Sequence, residues 1–381
     1  MLVATPSLDA DEGRVLELIG EARSKLVYSL DSPRRWTGHL RRTAMARAVQ
    51  GSNTIEGYNI TVEDAIAIAQ NEEPLEANKE TEMAVSGYQR ALTYVLQLAK
   101  EPAFEYSARL VQSLHFMMLE HDLSKNPGLW RPGWAGIRNE RTGDMIYEGA
   151  DSGELPVLMG ELIASLNAPG GIEPTVKAAM AHLNLVLIHP FSDGNGRMAR
   201  CLQTLVLARG STSLDPVFIS IEEHLGKNTP AYYDVLKAVA GPRWSPSSDA
   251  RPWVRFCLTA HYRQVETQRR RQREIQRLWD SIEEMVQRLG LPDRTIYALA
   301  DAAFGWRVRN ATYRPNAEVS HHTASRDLKA LVDAGLLLPR GERRGRYYVG
   351  GPTVASLRVA TREPRSIPDP FVELQQRALP L

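Results

Sequence analysis

Residues 175–188, TVKAAMAHLNLVLI, are nearly all apolar. A helix that is apolar all round is stable only when neighbours enclose it, so this segment is predicted to be the buried axis of a helical fold. It runs straight into HPFSDGNGRMAR, residues 189–200, after which Met198, Cys201, Leu202, Leu205 and Val206 recur at helical spacing. Two core helices joined by a short glycine loop are therefore expected at the centre of the chain.

Helical periodicity extends over most of the chain up to about residue 290. Helices are predicted over 10–30, over 35–50 with a stop near Gly51, after Thr61 (whose TVED begins a Thr-x-x-Asp capping signal), and over 80–100 and 105–121. Residues 126–154 are rich in glycine and too irregular for a helix. Within them, DMIYE (144–148) reads as a strand or hairpin arm, with Thr142-Gly143-Asp144 as the turn. LPVLMGELIASL resumes the helical pattern, 241–252 reads as a surface loop, and a long helix spans 253–288. The arginine run at 269–273 is expected to be a solvated helix face. Beyond residue 290 come TIYALADAAFG, SHHTASRDLKALVDAG and LLLPRGERRGRYYV, a helix, helix, hairpin order that predicts a winged helix-turn-helix. The last thirty residues carry little periodicity, and no internal repeat is present.

The central loop is built for anions. Gly194, Asn195 and Gly196 open a helix, where unpaired backbone N–H groups and the helix dipole favour negative charge, and glycines allow close approach. Arg197 and Arg200 are spaced i, i+3 and lie on one face of the first turns, which suits more than one phosphate. Asp193, beside that cradle, is placed to hold Mg²⁺ with phosphate oxygens and water completing the shell. His189 precedes the loop, and imidazole suits a general base that takes a proton from an attacking hydroxyl. Together these residues describe attack of a hydroxyl on a nucleotide phosphate.

The stretch resembles the signature of the Fic (Fic/Doc) family, His-Pro-Phe-x-Asp/Glu-Gly-Asn-Gly-Arg-x-x-Arg, at every specified position, and the resemblance extends over about residues 30–265. It implies an all-helical core with a small β-hairpin flap and a protein adenylyltransferase (AMPylator). Such an enzyme transfers AMP from ATP to a Ser, Thr or Tyr hydroxyl of a protein, itself included, and releases pyrophosphate. By resemblance His189 is the base, Asp193 the Mg²⁺ ligand, and Gly194, Asn195, Gly196 and Arg197 the anion hole. Phe191 would plug the core and Arg200 would hold the γ-phosphate end. The flap lies at about 138–150, with Asp144, Met145, Ile146 and Tyr147 as target contacts through strand addition. Relatives often have prolines after the flap, where this chain has Glu148-Gly149-Ala150. Tyr232 and Tyr233 of TPAYYDVLK are candidates to border the adenine.

SNTIEG, 52–57, read alone is a polar segment with Ser52 as a helix N-cap. It also matches the family's inhibitory pattern Ser/Thr-x-x-x-Glu-Gly/Asn, through Ser52, Glu56 and Gly57, in the class with an N-terminal inhibitory helix. That resemblance implies that Glu56 pairs with Arg200 in the place of the γ-phosphate. Other readings stay open: a de-AMPylase using Glu56, or a DNA-binding regulator with a nucleotide-sensing Fic core.

The expected layout is an N-terminal helical region with the inhibitory helix at about 50–57 (1–105), the Fic core (106–265), a connecting helix (266–290), the winged helix (291–352) and a tail (353–381). Composition narrows the partners. A net charge of +1 excludes a polycation that coats nucleic acid. DNA would have to meet a local patch, with Ser320, Thr323, Ser325 and Arg326 on the recognition helix and Arg340, Arg343, Arg344 and Arg346 on the wing. Two cysteines exclude a disulfide framework. With no secretion signal and no long apolar run, the chain is expected to be cytoplasmic, without a membrane partner. The resemblance also allows a homodimer.

Overall fold

The computed structural model describes all residues except 32–33, 139–144, 211–213, 343–344 and 379–381. The turn Thr142-Gly143-Asp144 and the wing residues Arg343 and Arg344 lie outside the described residues. The rest is mainly helical. The N-terminal part holds α1 (Ala10–Leu30), α2 (Arg35–Ile55), α3 (Val62–Ala69), α4 (Lys79–Leu98) and α5 (Ala108–Leu119). Next come a two-stranded antiparallel sheet, β1 (Gly136–Arg138) and β2 (Met145–Glu148), and α6 (Leu155–Asn167). The central pair is α7 (Pro174–Ile188) and α8 (Asn195–Gly210), followed by α9 (Glu222–Lys227), α10 (Thr229–Ala240) and the long α11 (Arg251–Arg288).

Local signals account for several helix starts. Asp9 and Glu12 form a reciprocal capping box on α1. Thr61 caps α3 as expected, accepting from the Asp64 amide, while the Asp64 carboxylate instead accepts the amides of Leu75 and Glu76 at 2.7 and 3.0 Å. α7 and α8 are enclosed as predicted: Leu183, Leu185, Ile188, Met198, Leu202 and Leu205 are all fully buried.

Three expectations are corrected. α2 does not stop at Gly51 but continues to Ile55. Gly51 is a packing glycine: a Cβ there would lie 2.4 Å from the Glu222 carbonyl oxygen, and one on Gly226 would lie 2.5 Å from Gly51 Cα. Helix α9 crosses α2 at backbone contact, which periodicity does not reveal. The arginine run is not merely solvated, because Arg271 donates to the buried Glu223 carboxylate at 2.6 Å and ties α11 to α9. The C-terminal part has three helices before its hairpin, not two: α12 (Ile296–Ala303), α13 (Asn310–Ala317) and α14 (His321–Asp333), then β3 (Leu337–Arg340) and β4 (Tyr347–Gly350). α13 escapes a propensity reading because Pro315 lies inside it. The tail also forms helices, α15 (Pro352–Thr361) and α16 (Pro370–Ala378). No helix among the described residues is long and apolar enough to cross a membrane.

Candidate active site

The loop between α7 and α8 starts at His189, which closes α7 in the left-handed conformation (φ 56°, ψ 56°). A histidine there is strained, so its surroundings must hold it. Arg131, 4% exposed, does so. Its Nε donates to the His189 carbonyl at 2.7 Å, its backbone N–H to the Pro190 carbonyl at 3.0 Å, and its other nitrogens to the carbonyls of Gly133 and Ala150. One buried guanidinium thus joins the loop to the segments on either side of the hairpin. Gly149 completes the contact: a Cβ there would lie 2.9 Å from His189 Cβ, so the hairpin's return strand needs glycine at that point.

His189 Nδ1 lies 3.2 Å from the Val186 carbonyl oxygen. That carbonyl can only accept, so Nδ1 carries the proton and Nε2 keeps its lone pair. Burial pushes the imidazole below its ordinary range, against a smaller upward effect of the Val186 bond. The neutral form is therefore favoured.

The Asn195 side chain is not available to a ligand. Its Oδ1 accepts from the Phe191 amide and its Nδ2 donates to the Phe191 carbonyl, both at 2.9 Å, which closes the loop on itself. Only its backbone can serve an anion. Phe191 is fully buried and stacks on His115 with ring centroids 3.6 Å apart. His115 Nε2 donates to the Asp193 carbonyl at 2.8 Å while Nδ1 accepts the Gly128 amide at 2.9 Å. Gly194 (φ +75°) has no room for a side chain, since a Cβ would lie 2.9 Å from Leu119 Cδ1.

Arg197 and Arg200 are each 1% exposed. Arg197 Nε and Nη1 and Arg200 Nη1 are buried without a hydrogen-bond partner. Buried guanidinium atoms left open in this way point to an anion. The rest of Arg200 is engaged: Nε donates to Ser52 Oγ at 2.8 Å, and Nη2 to the Ser52 carbonyl at 3.0 Å and to Glu56 Oε1 at 2.7 Å. A Cβ on Gly196 would lie 2.4 Å from Glu56 Oε1, so the Glu56 carboxylate sits directly against the first turn of α8. A carboxylate stands where the loop would otherwise offer its amides and guanidinium groups to a phosphate.

Ser52 is not an N-cap. It is fully buried in the last turn of α2, facing Arg200. Glu56 caps the C-terminus, and Gly57 follows at φ +85°. The Gly57 amide bonds the Thr54 carbonyl and the Tyr58 amide the Asn53 carbonyl, each at 3.0 Å, the Schellman pattern. Gly57 therefore ends α2 so that Glu56 is aimed at Arg200.

The Asp193 carboxylate is partly exposed and pairs with Lys125 Nζ at 2.6 Å. Burial works to raise its pKa, but Lys125, with help from Arg197, holds it below the usual carboxylate range. Among the described residues no group of three or more His, Cys, Asp and Glu side chains is arranged to hold a metal. A divalent ion here would rest on one carboxylate, with phosphate and water supplying the remaining oxygens, a common Mg²⁺ arrangement.

The expected tyrosine pair divides. Tyr232 is 1% exposed and its hydroxyl lies 3.0 Å from His182 Nε2, so its ring offers no open face. Tyr233 is 47% exposed and donates to the Ile55 carbonyl at 3.1 Å. The hairpin divides likewise. Met145 and Ile146 are exposed, whereas Tyr147 is buried and donates to the Leu187 carbonyl, an anchor rather than a target contact. Asp144 lies outside the described residues. Sequence reasoning missed Arg131, His115 and Lys125, which lie 58–78 positions from the loop residues His189 and Asp193 that they hold.

Residues 105–207 match the Fic/DOC family. A protein named protein adenylyltransferase Fic from Culex quinquefasciatus is 42% identical over 106 residues, 27% of this chain and 19% of that protein. Its namesake from Nematostella vectensis is 25% identical over 273 residues, 69% of this chain and 57% of that one. The chain thus spans less than two thirds of the length of these relatives. Among solved structures, a Fic family protein from Desulfovibrio desulfuricans matches at TM-score 0.57 and 21% identity, covering 91% of this chain and 98% of that one. Fic-1 from C. elegans matches at TM-score 0.52 and 21% identity, covering 68% and 71%. The described architecture has the fold of these Fic proteins, and residues 105–207 of this chain match the Fic/DOC family.

Proposed function

We propose that the chain is an autoinhibited protein adenylyltransferase that moves AMP from ATP to a Ser, Thr or Tyr hydroxyl of a protein. The observation that carries this reading is the cradle at the start of α8. Two buried arginines hold open guanidinium atoms there, and the Glu56 carboxylate lies against Gly196. In the reaction, the acceptor hydroxyl oxygen bonds to the α-phosphorus as His189 Nε2 takes its proton. The bond from that phosphorus to the bridging oxygen breaks, and pyrophosphate leaves. The amides of Asn195 and Gly196 and the Arg197 guanidinium stabilise charge on the phosphates, the Gly194 amide being held by the Asp193 carboxylate. Mg²⁺ bound at Asp193 would supply further charge neutralisation. Tyr233 offers the adenine an aromatic face, and Met145 and Ile146 offer a target segment an exposed strand.

Inhibition follows from charge. Glu56 occupies a cation that a γ-phosphate needs, so ATP enters only in a pose unfit for in-line transfer. A charge-assisted pair in a partly buried site is worth about 2–3 kcal/mol, or about 30- to 150-fold in rate. The DNA-binding alternative has less behind it: Ser320 caps α14 and Ser325 bonds Asn310, which leaves Arg326, Arg340 and Arg346 exposed.

The test is transfer of label from α-phosphate-labelled ATP and Mg²⁺ to protein, with and without lysate. Wild type, Glu56→Gly and Glu56→Gly/His189→Ala are compared. Label should rise in the single variant and vanish in the double. No label in any variant that still binds ATP would reject the reading and favour AMP removal or another donor.

A further inference from the structure

A second cluster of cations lies away from the loop. A cavity of about 120 Å³ opens between α2, α9, α11, α12 and α15. Arg47, Lys227, Arg270, Arg271, Arg358 and Arg365 line it. The acids that face them are Glu274, in the wall, and Glu223, just behind it. Both are already committed. Glu223 accepts from Arg271 at 2.6 Å and pairs with Lys227. Glu274 accepts from Arg358 at 2.8 Å and from the Glu363 amide at 2.9 Å.

Cations still outnumber these two acids, and several of their N–H donors stay open. Arg47 reaches Glu223 only at 3.8 Å, and its Nε is buried without a partner. Arg270 Nε and Arg358 Nη1 are buried and unpartnered too, and Arg358 is 9% exposed. Arg365 stands exposed at the mouth. Burial first, and then Arg271, Arg365 and Arg358, push the Arg47 guanidinium down to about 10. Like charges gathered out of water destabilise a fold unless something neutralises them. A stabilising cluster would match its charges internally. This one leaves open N–H donors on three elements converging on one polar space.

We propose that this cavity is a binding site for a tetrahedral phosphate-type dianion, either free or as the terminal phosphate of a small molecule. Guanidinium groups bind such oxygens through paired, charge-assisted bonds, and a chloride ion cannot span the same donors. The site is distinct from the α8 cradle: Arg47 precedes Glu56 by nine residues on α2, about 13 Å along the helix axis.

Thermal unfolding and calorimetric titration of the full chain test this, at constant ionic strength in a chloride buffer, with phosphate, pyrophosphate or AMP added. Wild type is compared with Arg270→Gln and Arg47→Gln. The cradle arginines are intact in all three proteins, so the difference between them reads the second site alone. Saturating phosphate should raise the Tm of wild type by about 3–5 °C more than that of either variant. Without phosphate, Arg270→Gln should unfold at or above the wild-type temperature, because it removes repulsion. A response to phosphate and pyrophosphate assigns the free anion, and a stronger one to AMP assigns the monoester. Equal shifts in wild type and both variants overturn the proposal. The readout is binding, so it stands or falls independently of AMP transfer.

Discussion

At the residue scale the site depends on which atoms are already engaged. His189 is oriented by one carbonyl and its pKa is lowered by burial, so it is neutral at pH 7 and must stay neutral to act as a base. Activity of Glu56→Gly should therefore hold on acidification through the ordinary histidine range, about 6.5, and fall only below it. A pH profile of kcat/KM checks this, and an acid limb at or above 6.5 would contradict it. Lys125 sets a second expectation. Its ammonium sits 2.6 Å from the carboxylate proposed to hold Mg²⁺ and would compete with that ion for the same charge. Lys125→Gln should tighten Mn²⁺ binding several-fold, read by the spectrum of free Mn²⁺ in a titration without nucleotide. Unchanged or weaker binding would show that the lysine does not compete.

At the element scale the end of α2 is positioned by a close crossing. Gly51 and Gly226 let α2 and α9 touch backbone to backbone, and the last turn of α2 then places Ser52 and Glu56 on Arg200. Gly51→Ala forces a methyl group to within 2.4 Å of the Glu222 carbonyl oxygen, so the helices must part. Overpacking of this kind costs about 1–3 kcal/mol. The expected result is a lower Tm together with higher AMP transfer, because the displaced turn loosens the Glu56 pair. A lower Tm with unchanged transfer would separate the crossing from the switch. The sequence shows a glycine at 51 and reads it as a stop. Only the neighbouring helix reveals it as a contact.

At the scale of the whole molecule, buried histidines make the fold sensitive to acid. Burial pushes His115 to about 4, His182 to about 3 and His224 to about 4. The unfolded chain takes up these protons near 6.5, so between 6.5 and about 4 it binds more of them than the fold does. Stability from this source is full above 6.5 and declines as pH falls, by about 1.4 kcal/mol per unit for each histidine. Denaturant unfolding at pH 7, 6 and 5 should show the decline, and His115→Gln should make it shallower by one histidine's share, about 1.4 kcal/mol per unit. A flat wild-type profile would mean that the histidines are not buried neutral. Protonating His115 at Nδ1 keeps the Nε2 bond to the Asp193 carbonyl but removes the acceptor of the Gly128 amide, so it is expected to loosen the chain at Gly128.

The sequence alone determined the buried pair α7 and α8, the loop between them, and the grouping of His189, Asp193, the glycines and both arginines. All of these lie within one contiguous stretch, where spacing along a helix sets which side chains share a face. Resemblance added the pairing of Glu56 with Arg200, whose partners are 144 positions apart. Tertiary structure decided the rest. Tyr232 and Tyr233 are adjacent on one helix, and packing buries one ring and leaves the other open. The Asn195 side chain closes the loop on Phe191 and leaves only its backbone to an anion. Arg131, His115, Lys125 and the cations around Arg47 come from distant segments. Their roles depend on which groups remain unpaired once the chain is packed, and sequence spacing carries no record of that.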